Sequence, residues 1–260
     1  MTDHLPEQSF QSLAYIYDDI GLSEYSVELA GKVLGFLQKT GWLGRYVLEL
    51  GCGTGAAAEL LAKKRMDMTC IDLSAEMVEL ARKRLENRGM SILVEQNDMR
   101  LYNPGREFDL VVSFNTVNYI PSVRFLNTTF QRVNTLLKMN KPFVFDIWTI
   151  EGLAIDLGRK TQVMYDANGI FITLRNNFDF EAYRLHQEYC GFVLQETEWA
   201  RFDEDHVLRG YPVSALASMM DRAGFAVRHL LKLNMQPYTE NVDSDARIVI
   251  IAEKVSELNG

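Results

Sequence analysis

Nine consecutive residues, Val47-Leu48-Glu49-Leu50-Gly51-Cys52-Gly53-Thr54-Gly55, combine what a small ligand needs from a backbone. Three alternating glycines open conformations closed to other residues and let a ligand lie against the main chain. An apolar run leads in and Ala56-Ala57-Ala58 leads out, so the turn joins a buried strand to a helix. The start of that helix adds a partial positive charge. Three ligand classes use such turns. A Walker loop ends in Gly-Lys-Ser/Thr, whereas Gly55 is followed by alanine, which excludes phosphate cradling of that type. A dinucleotide fingerprint is G-x-G-x-x-G, and here the third glycine comes one residue early. Glu49 would face a pyrophosphate badly, but its carboxylate suits a ligand that carries a cation or an amine.

The elements that must position these residues follow from periodicity. Leu22 to Gln38 has apolar residues at helical spacing, Arg45 to Leu50 reads as a strand, and Ala56 to Arg65 as a helix. Met68 to Ile71 is a second strand ending at Asp72, and Ser74 is placed to cap a helix reaching Asn87. Ser91 to Gln96, Phe108 to Ser113 and Pro142 to Ile147 are further strands, with a helix from Ser122 to Leu137. Strands alternating with helices predict a parallel sheet covered on both faces. From about 162 to 210 the period becomes two. Ile170, Ile172, Leu174, Phe178 and Phe180 share one face, and Asn168-Gly169 signals a hairpin turn. Ser214 to Ala223 then reads as a helix, and Ala226 to Leu233 and Ala246 to Glu253 as strands. The predicted class is α/β, a Rossmann-like sheet with an inserted antiparallel β subdomain. Its parts are 1–147, the cofactor-binding region with an N-terminal helical segment; 148–211, the insertion, as an acceptor lid; and 212–260, completing the sheet.

Composition narrows the function. The 260 residues carry a net charge of -8, and the longest basic run is Lys63-Lys64-Arg65 at a helix end. Phosphate neutralisation needs a basic footprint, so nucleic acid is not an expected partner. Three widely spaced cysteines and four histidines, His4, His186, His206 and His229, offer neither a disulfide framework nor metal-ligand spacing. No apolar run approaches the roughly 18 residues of a membrane helix, and Met1 to Phe10 lacks the pattern of a signal peptide. A cytoplasmic protein without metal or membrane is expected.

Glu49 to Gly55 resembles motif I of class I S-adenosylmethionine-dependent methyltransferases almost residue for residue. The resemblance implies S-adenosyl-L-methionine as cofactor. Gly51, Cys52 and Gly53 would lie against its methionine part, and Glu49 would lie near the amino acid end or help fix the loop. Asp72 matches the acid that takes the ribose hydroxyls, Leu73 and Met77 match positions near adenine, and Asp98 and Met99 match the segment bordering it. Asn115 matches the pocket floor. The usual Pro-Gly-Gly turn before the fifth strand is replaced by Lys138-Met139-Asn140-Lys141-Pro142, where Asn140 would take the glycine-like conformation.

Ala14-Tyr15-Ile16-Tyr17-Asp18 and Arg201 to Tyr211 are similar to segments of a small-molecule subgroup that includes sugar N-methyltransferases of antibiotic pathways and carries strands inserted after the fifth strand. On that resemblance Tyr17 covers the cofactor, Tyr119 faces the acceptor, and His206 is a candidate base or acceptor contact. Set among Asp203, Glu204 and Asp205, His206 also reads more simply as an exposed strand residue. Asp146 and Trp148 are positioned to line an acceptor cleft, because ligands of such sheets bind beyond the strands' carboxyl ends. The expected activity is metal-free, in-line N- or O-methylation of a small molecule by a monomer or homodimer. The alternatives are a non-catalytic protein that binds the same cofactor as a regulator or partner subunit, and an NAD-linked oxidoreductase.

Overall fold

A computed structural model describes residues 9–158, 160–240 and 242–258. His4 and most of the N-terminal stretch read for a signal peptide lie outside them. A 3-10 turn, Leu13–Ile16, precedes α1 (Glu24–Lys39), β1 (Tyr46–Leu50), α2 (Ala56–Lys63), β2 (Asp67–Asp72), α3 (Ala75–Asn87), β3 (Leu93–Gln96) and β4 (Leu110–Ser113). A second 3-10 turn, Val117–Tyr119, leads to α4 (Val123–Leu136) and β5 (Pro142–Trp148). Ser74 and Ser122 cap α3 and α4 as expected, their hydroxyls accepting from the amides of Met77 and Phe125. Asn140 has φ +60° in the turn before β5.

Strand residues alternate between two cores. Leu48 and Leu50 face Phe130, Val133 and Leu216 on one side, while Val47 faces Leu34, Ala58 and Leu61 on the other. Burial on both faces explains why the strands read as continuous apolar runs. The sheet order is β3-β2-β1-β4-β5 with β11 (Arg247–Lys254) and β10 (Phe225–Lys232) beyond β5. β11 runs antiparallel to both neighbours. The order reverses between β1 and β4, which opens a crevice beyond their carboxyl ends.

A π-helical segment (Gly152–Leu157) follows β5 and leads into a separate four-stranded antiparallel sheet: β6 (Thr161–Ala167), β7 (Ile170–Asp179), β8 (Arg184–Gln195) and β9 (Glu198–Arg209). The hairpin at Asn168-Gly169 has φ of 51° and 73°, as a two-residue turn with both central residues left-handed requires. Ile170, Ile172, Leu174 and Phe178 are buried on one face as expected, but Phe180 is 60% exposed. β7 ends at Asp179, whose carboxylate accepts from the amides of Glu181 and Ala182, so Phe180 falls beyond the pleat. α5 (Val213–Arg222) returns the chain to the main sheet.

Candidate functional site

The turn after β1 is built around two glycines. Gly51 has φ +69°, and a Cβ there would fall 2.5 Å from the Thr116 side chain. Close packing within the protein therefore fixes it as glycine. Gly53 has φ +54°, but a Cβ there would meet nothing nearer than the Met77 sulfur at 4.0 Å. The space beside it is open, and it belongs to a cavity of about 430 Å³, within the ~300–1,000 Å³ of small-molecule sites.

All eleven residues expected at the cofactor line this cavity: Tyr17, Glu49, Gly51, Cys52, Gly53, Asp72, Leu73, Met77, Asp98, Met99 and Asn115. They arrive from the N-terminal segment, the ends of β1 to β4 and, for Met77, the first turn of α3, a convergence that follows from the sheet order. Phe10, Ser74 and Tyr119 also border it.

The electrostatics are specific. Glu49 is 1% exposed, and its Oε2 is buried without any hydrogen-bond partner. Burial, assisted by the nearby Asp72, pushes its carboxyl up to about 8. An orphaned acid in a cavity wall fits a ligand bearing an amine or cation. Asp72 accepts from the Gly53 amide at 2.7 Å and the Ser74 amide at 3.0 Å. It thus braces the glycine turn, and each oxygen keeps a lone pair for a further donor. Asp98 is gripped by the Arg100 guanidinium, which also lies 3.9 Å over the Phe125 ring. Burial pushes the Tyr17 hydroxyl up to about 12, opposed by a hydrogen bond with Asn115, so it stays protonated.

Asp146 does not line the cavity, and neither does Trp148. Asp146 is fully buried, 2.5 Å from Arg247, and accepts from the Asn115 amide at 2.8 Å and the Tyr25 hydroxyl at 2.9 Å. Arg247 lies against the Tyr25 and Trp148 rings, 3.8 and 4.7 Å from their centroids. Through its 2.8 Å bond to Asn115 Oδ1, this ion pair holds the cavity floor. Sequence reasoning missed Arg247. A lone cation entering the apolar run Ile248–Ala252 was the available signal.

His206 is 1% exposed, which overturns its reading as a surface residue. Phe202, Glu204, His206 and Leu208 alternate along β9 and face inward, with Glu204 7% and Leu208 4% exposed. The period-two pattern carried that information, but the neighbouring acids masked it. His206 Nδ1 lies 3.2 Å from the Tyr119 hydroxyl and Nε2 2.6 Å from Glu204 Oε1. His206 is behind Tyr119 rather than on the cavity wall. Asn118 fixes this arrangement: its amide group donates to the carbonyls of Trp148 and Arg209, and its oxygen accepts from the Trp148 amide. His186 and His229 are both exposed and lie on β8 and β10. Among the described residues, no group of three or more His, Cys, Asp or Glu is arranged to hold a metal, and no helix is long and apolar enough to cross a membrane.

Comparison with known proteins agrees with this architecture. Residues 47–140 match the family model described as a methyltransferase domain. The chain is 29% identical to YqeM of Bacillus subtilis (strain 168), whose name assigns it provisionally as a methyltransferase, over 71% of this chain and 74% of that protein. A crystal structure of an S-adenosylmethionine-dependent methyltransferase from Clostridium acetobutylicum ATCC 824 superposes with a TM-score of 0.83 at 24% identity, covering 95% of this chain and 99% of the other. The sugar N-methyltransferase KedS8 from Streptoalloteichus sp ATCC 53650 superposes with a TM-score of 0.76 at 20% identity, covering 96% and 94%. The fold is that of class I S-adenosylmethionine-dependent methyltransferases, with an inserted antiparallel β subdomain.

Proposed function

We propose that the protein transfers a methyl group from S-adenosyl-L-methionine to a nitrogen or oxygen of a small-molecule acceptor, without a metal. One observation carries the reading: the buried, partnerless carboxyl oxygen of Glu49, in the wall of the cavity that Gly53 leaves open. A dinucleotide phosphate would hold Glu49 in its neutral form and offer it no ion pair, whereas an amino group would pair with the ionised acid.

In this reading Gly51, Cys52 and Gly53 receive the methionine part and Glu49 its amine. Asp72 takes the ribose hydroxyls while bracing the turn. Leu73, Met77, Asp98 and Met99 surround the adenine, and Tyr17 and Asn115 close the pocket. When bound, the cofactor supplies a sulfonium methyl for in-line displacement. The protein's part is then to position the acceptor and remove its proton. Tyr119 is the candidate contact to the acceptor, since it borders the cavity. His206, bonded to the Tyr119 hydroxyl, is the candidate base behind it. Residues 148–211 form the acceptor lid. The N-terminal segment and the likeness to KedS8 support a polar acceptor such as an amino sugar.

Thermal melts with S-adenosyl-L-methionine and with NAD test the cofactor. A ligand at 100 times its dissociation constant raises stability by about 2.7 kcal/mol, and this is expected for the first only. Labelled cofactor with a metabolite extract then tests transfer. Binding without release of S-adenosylhomocysteine from any acceptor pool would favour a non-catalytic binding protein instead.

A further inference from the structure

Glu204 is placed to serve two partners at once. Its Oε1 lies 2.6 Å from His206 Nε2 and accepts from the Phe10 amide at 2.5 Å; its Oε2 accepts from the amides of Ser12 and Leu13 at 2.9 and 3.0 Å. Phe10 borders the cavity, and its ring lies 4.4 Å from the His206 ring, 5.3 Å from Tyr119 and 5.8 Å from Tyr17. The segment 9–22 is thus a strap along the cavity, to whose lining it gives Ser9, Phe10 and Tyr17. It is pinned at one end by Glu204 and at the other by Asp18, which accepts from the Thr54 hydroxyl at 2.8 Å and pairs with Arg84. Thr54 belongs to the glycine turn, so the strap ties the lid sheet to the cofactor turn.

We propose that Glu204 is a positioning residue that holds His206 in its Nε2–H form and latches the N-terminal strap over the cavity, so that base orientation and strap closure share one carboxylate. This rests on the methyl-transfer reading for its purpose, since it concerns the base of that reaction. Burial works against the charge on Glu204, but the bonds from His206 and from the Leu13 and Phe10 amides outweigh it and keep the carboxyl below its usual range. An ionised carboxylate accepts hydrogen bonds only, so the facing Nε2 must carry hydrogen. In the neutral ring Nδ1 then offers a lone pair to the Tyr119 hydroxyl. The acceptor's proton would pass to the Tyr119 oxygen as the Tyr119 proton passes to Nδ1. An imidazolium facing the Glu204 carboxylate results, and it returns its proton through the Tyr119 hydroxyl to the cavity after product leaves. Besides Glu204 and Tyr119, the Tyr189 ring faces His206 at 5.0 Å, and Gln187 is its cross-strand neighbour.

The test uses the full chain, labelled with nitrogen-15. Imidazole nitrogen shifts report the tautomer and hydrogen exchange reports the strap. In the wild type, His206 should appear in the Nε2–H form, and the amides of Phe10, Ser12 and Leu13 should exchange slowly. In Glu204→Gln a single oxygen must serve four donors. Exchange at those three amides should speed by on the order of tenfold or more, the size expected from losing one charge-assisted bond, while α4 amides stay protected. Glu204→Asp keeps the charge and should keep the Nε2–H signature while freeing part of the strap. A wild-type His206 in the Nδ1–H form, or unchanged strap exchange in Glu204→Gln, would overturn the assignment. If Glu204→Gln does not fold, the wild-type spectrum and Glu204→Asp still decide it. Wild-type protein that shows both signatures yet binds no S-adenosyl-L-methionine would instead overturn the methyl-transfer reading and leave the role of Glu204 standing.

Discussion

Glu49 and Asp72 stand at the carboxyl ends of the adjacent parallel strands β1 and β2 and border the same cavity, and the negative field of Asp72 helps keep Glu49 protonated near neutral pH. Two acids at adjacent strand ends thus have different duties. Asp72 is braced by backbone amides, whereas Glu49 is buried and its Oε2 has no protein hydrogen-bond partner.

This makes binding proton-linked. An amine settling beside Glu49 favours its ionised form, so cofactor binding near pH 7 should release up to about one proton. Calorimetry in buffers of different ionisation enthalpy measures that number, and Glu49→Gln should abolish the release. The sign for the free protein follows from its folded value of about 8 against an unfolded value near 4.5. The folded state holds the extra proton between those values. Stability is fully present below the lower value and falls as pH rises toward the upper, by at most about 1.4 kcal/mol per unit. Melts of wild type and Glu49→Gln across pH 5 to 8.5 should diverge in that window and run parallel above it.

Gly51 and Gly53 should respond differently to alanine. Gly51→Ala meets Thr116 at 2.5 Å in a left-handed conformation and should lower stability by about 2–4 kcal/mol. Removing the Thr116 branch in a Gly51→Ala/Thr116→Ala pair should recover part of it. Gly53→Ala pays only the conformational cost, about 1–2 kcal/mol, but projects into the cavity and should weaken cofactor binding more than it lowers the melting temperature. Equal losses from both substitutions would place the ligand elsewhere.

Asp72→Ala removes acceptors for the Gly53 and Ser74 amides as well as for any ribose hydroxyl. Cofactor affinity should fall by about 1–3 kcal/mol in calorimetry, the range for hydrogen bonds to a charged group. Unchanged affinity would exclude the ribose role.

Tyr119→Phe should slow turnover more than it weakens cofactor binding, because its hydroxyl bonds to His206, behind the cavity wall, and not to a residue expected at the cofactor. Single-turnover rates and cofactor affinity, measured once an acceptor is in hand, separate the two. The reverse pattern would move Tyr119 out of the acceptor site.

Arg247→Met would strand Asp146 as a buried charge, which typically costs about 3–5 kcal/mol. The double variant Arg247→Met/Asp146→Asn should be more stable than Arg247→Met alone. Denaturant midpoints check both, and an unaffected single variant would show that the pair contributes nothing net.

Much of this molecule could be read from local order. A strand leading into glycines, Asp72 one strand later and Asp98 one strand after that are contiguous signals, and the doubly wound topology sends each strand's carboxyl end to one crevice. Hence the eleven cofactor candidates converge without any long-range information beyond the α/β alternation. Phe180 was misplaced because the period-two pattern does not mark where Asp179 ends the strand. His206 was hidden by acids that face both ways on β9, Glu204 inward and its neighbours outward.

What the sequence by itself determined is therefore the cavity wall proposed to hold the cofactor: a glycine turn, a buried acid and the strand ends that hold them, all encoded within segments that fold locally. Only the tertiary structure decided the rest. Tyr119 meets His206 across 87 positions, Asp146 meets Arg247 across 101, and the Phe10 amide meets Glu204 across 194. The first and third depend on how the inserted sheet docks against the rest of the chain, and the second on the antiparallel pairing of β11 with β5. That docking is driven by burial of faces, which is non-directional and leaves no spacing in the sequence to name the partners.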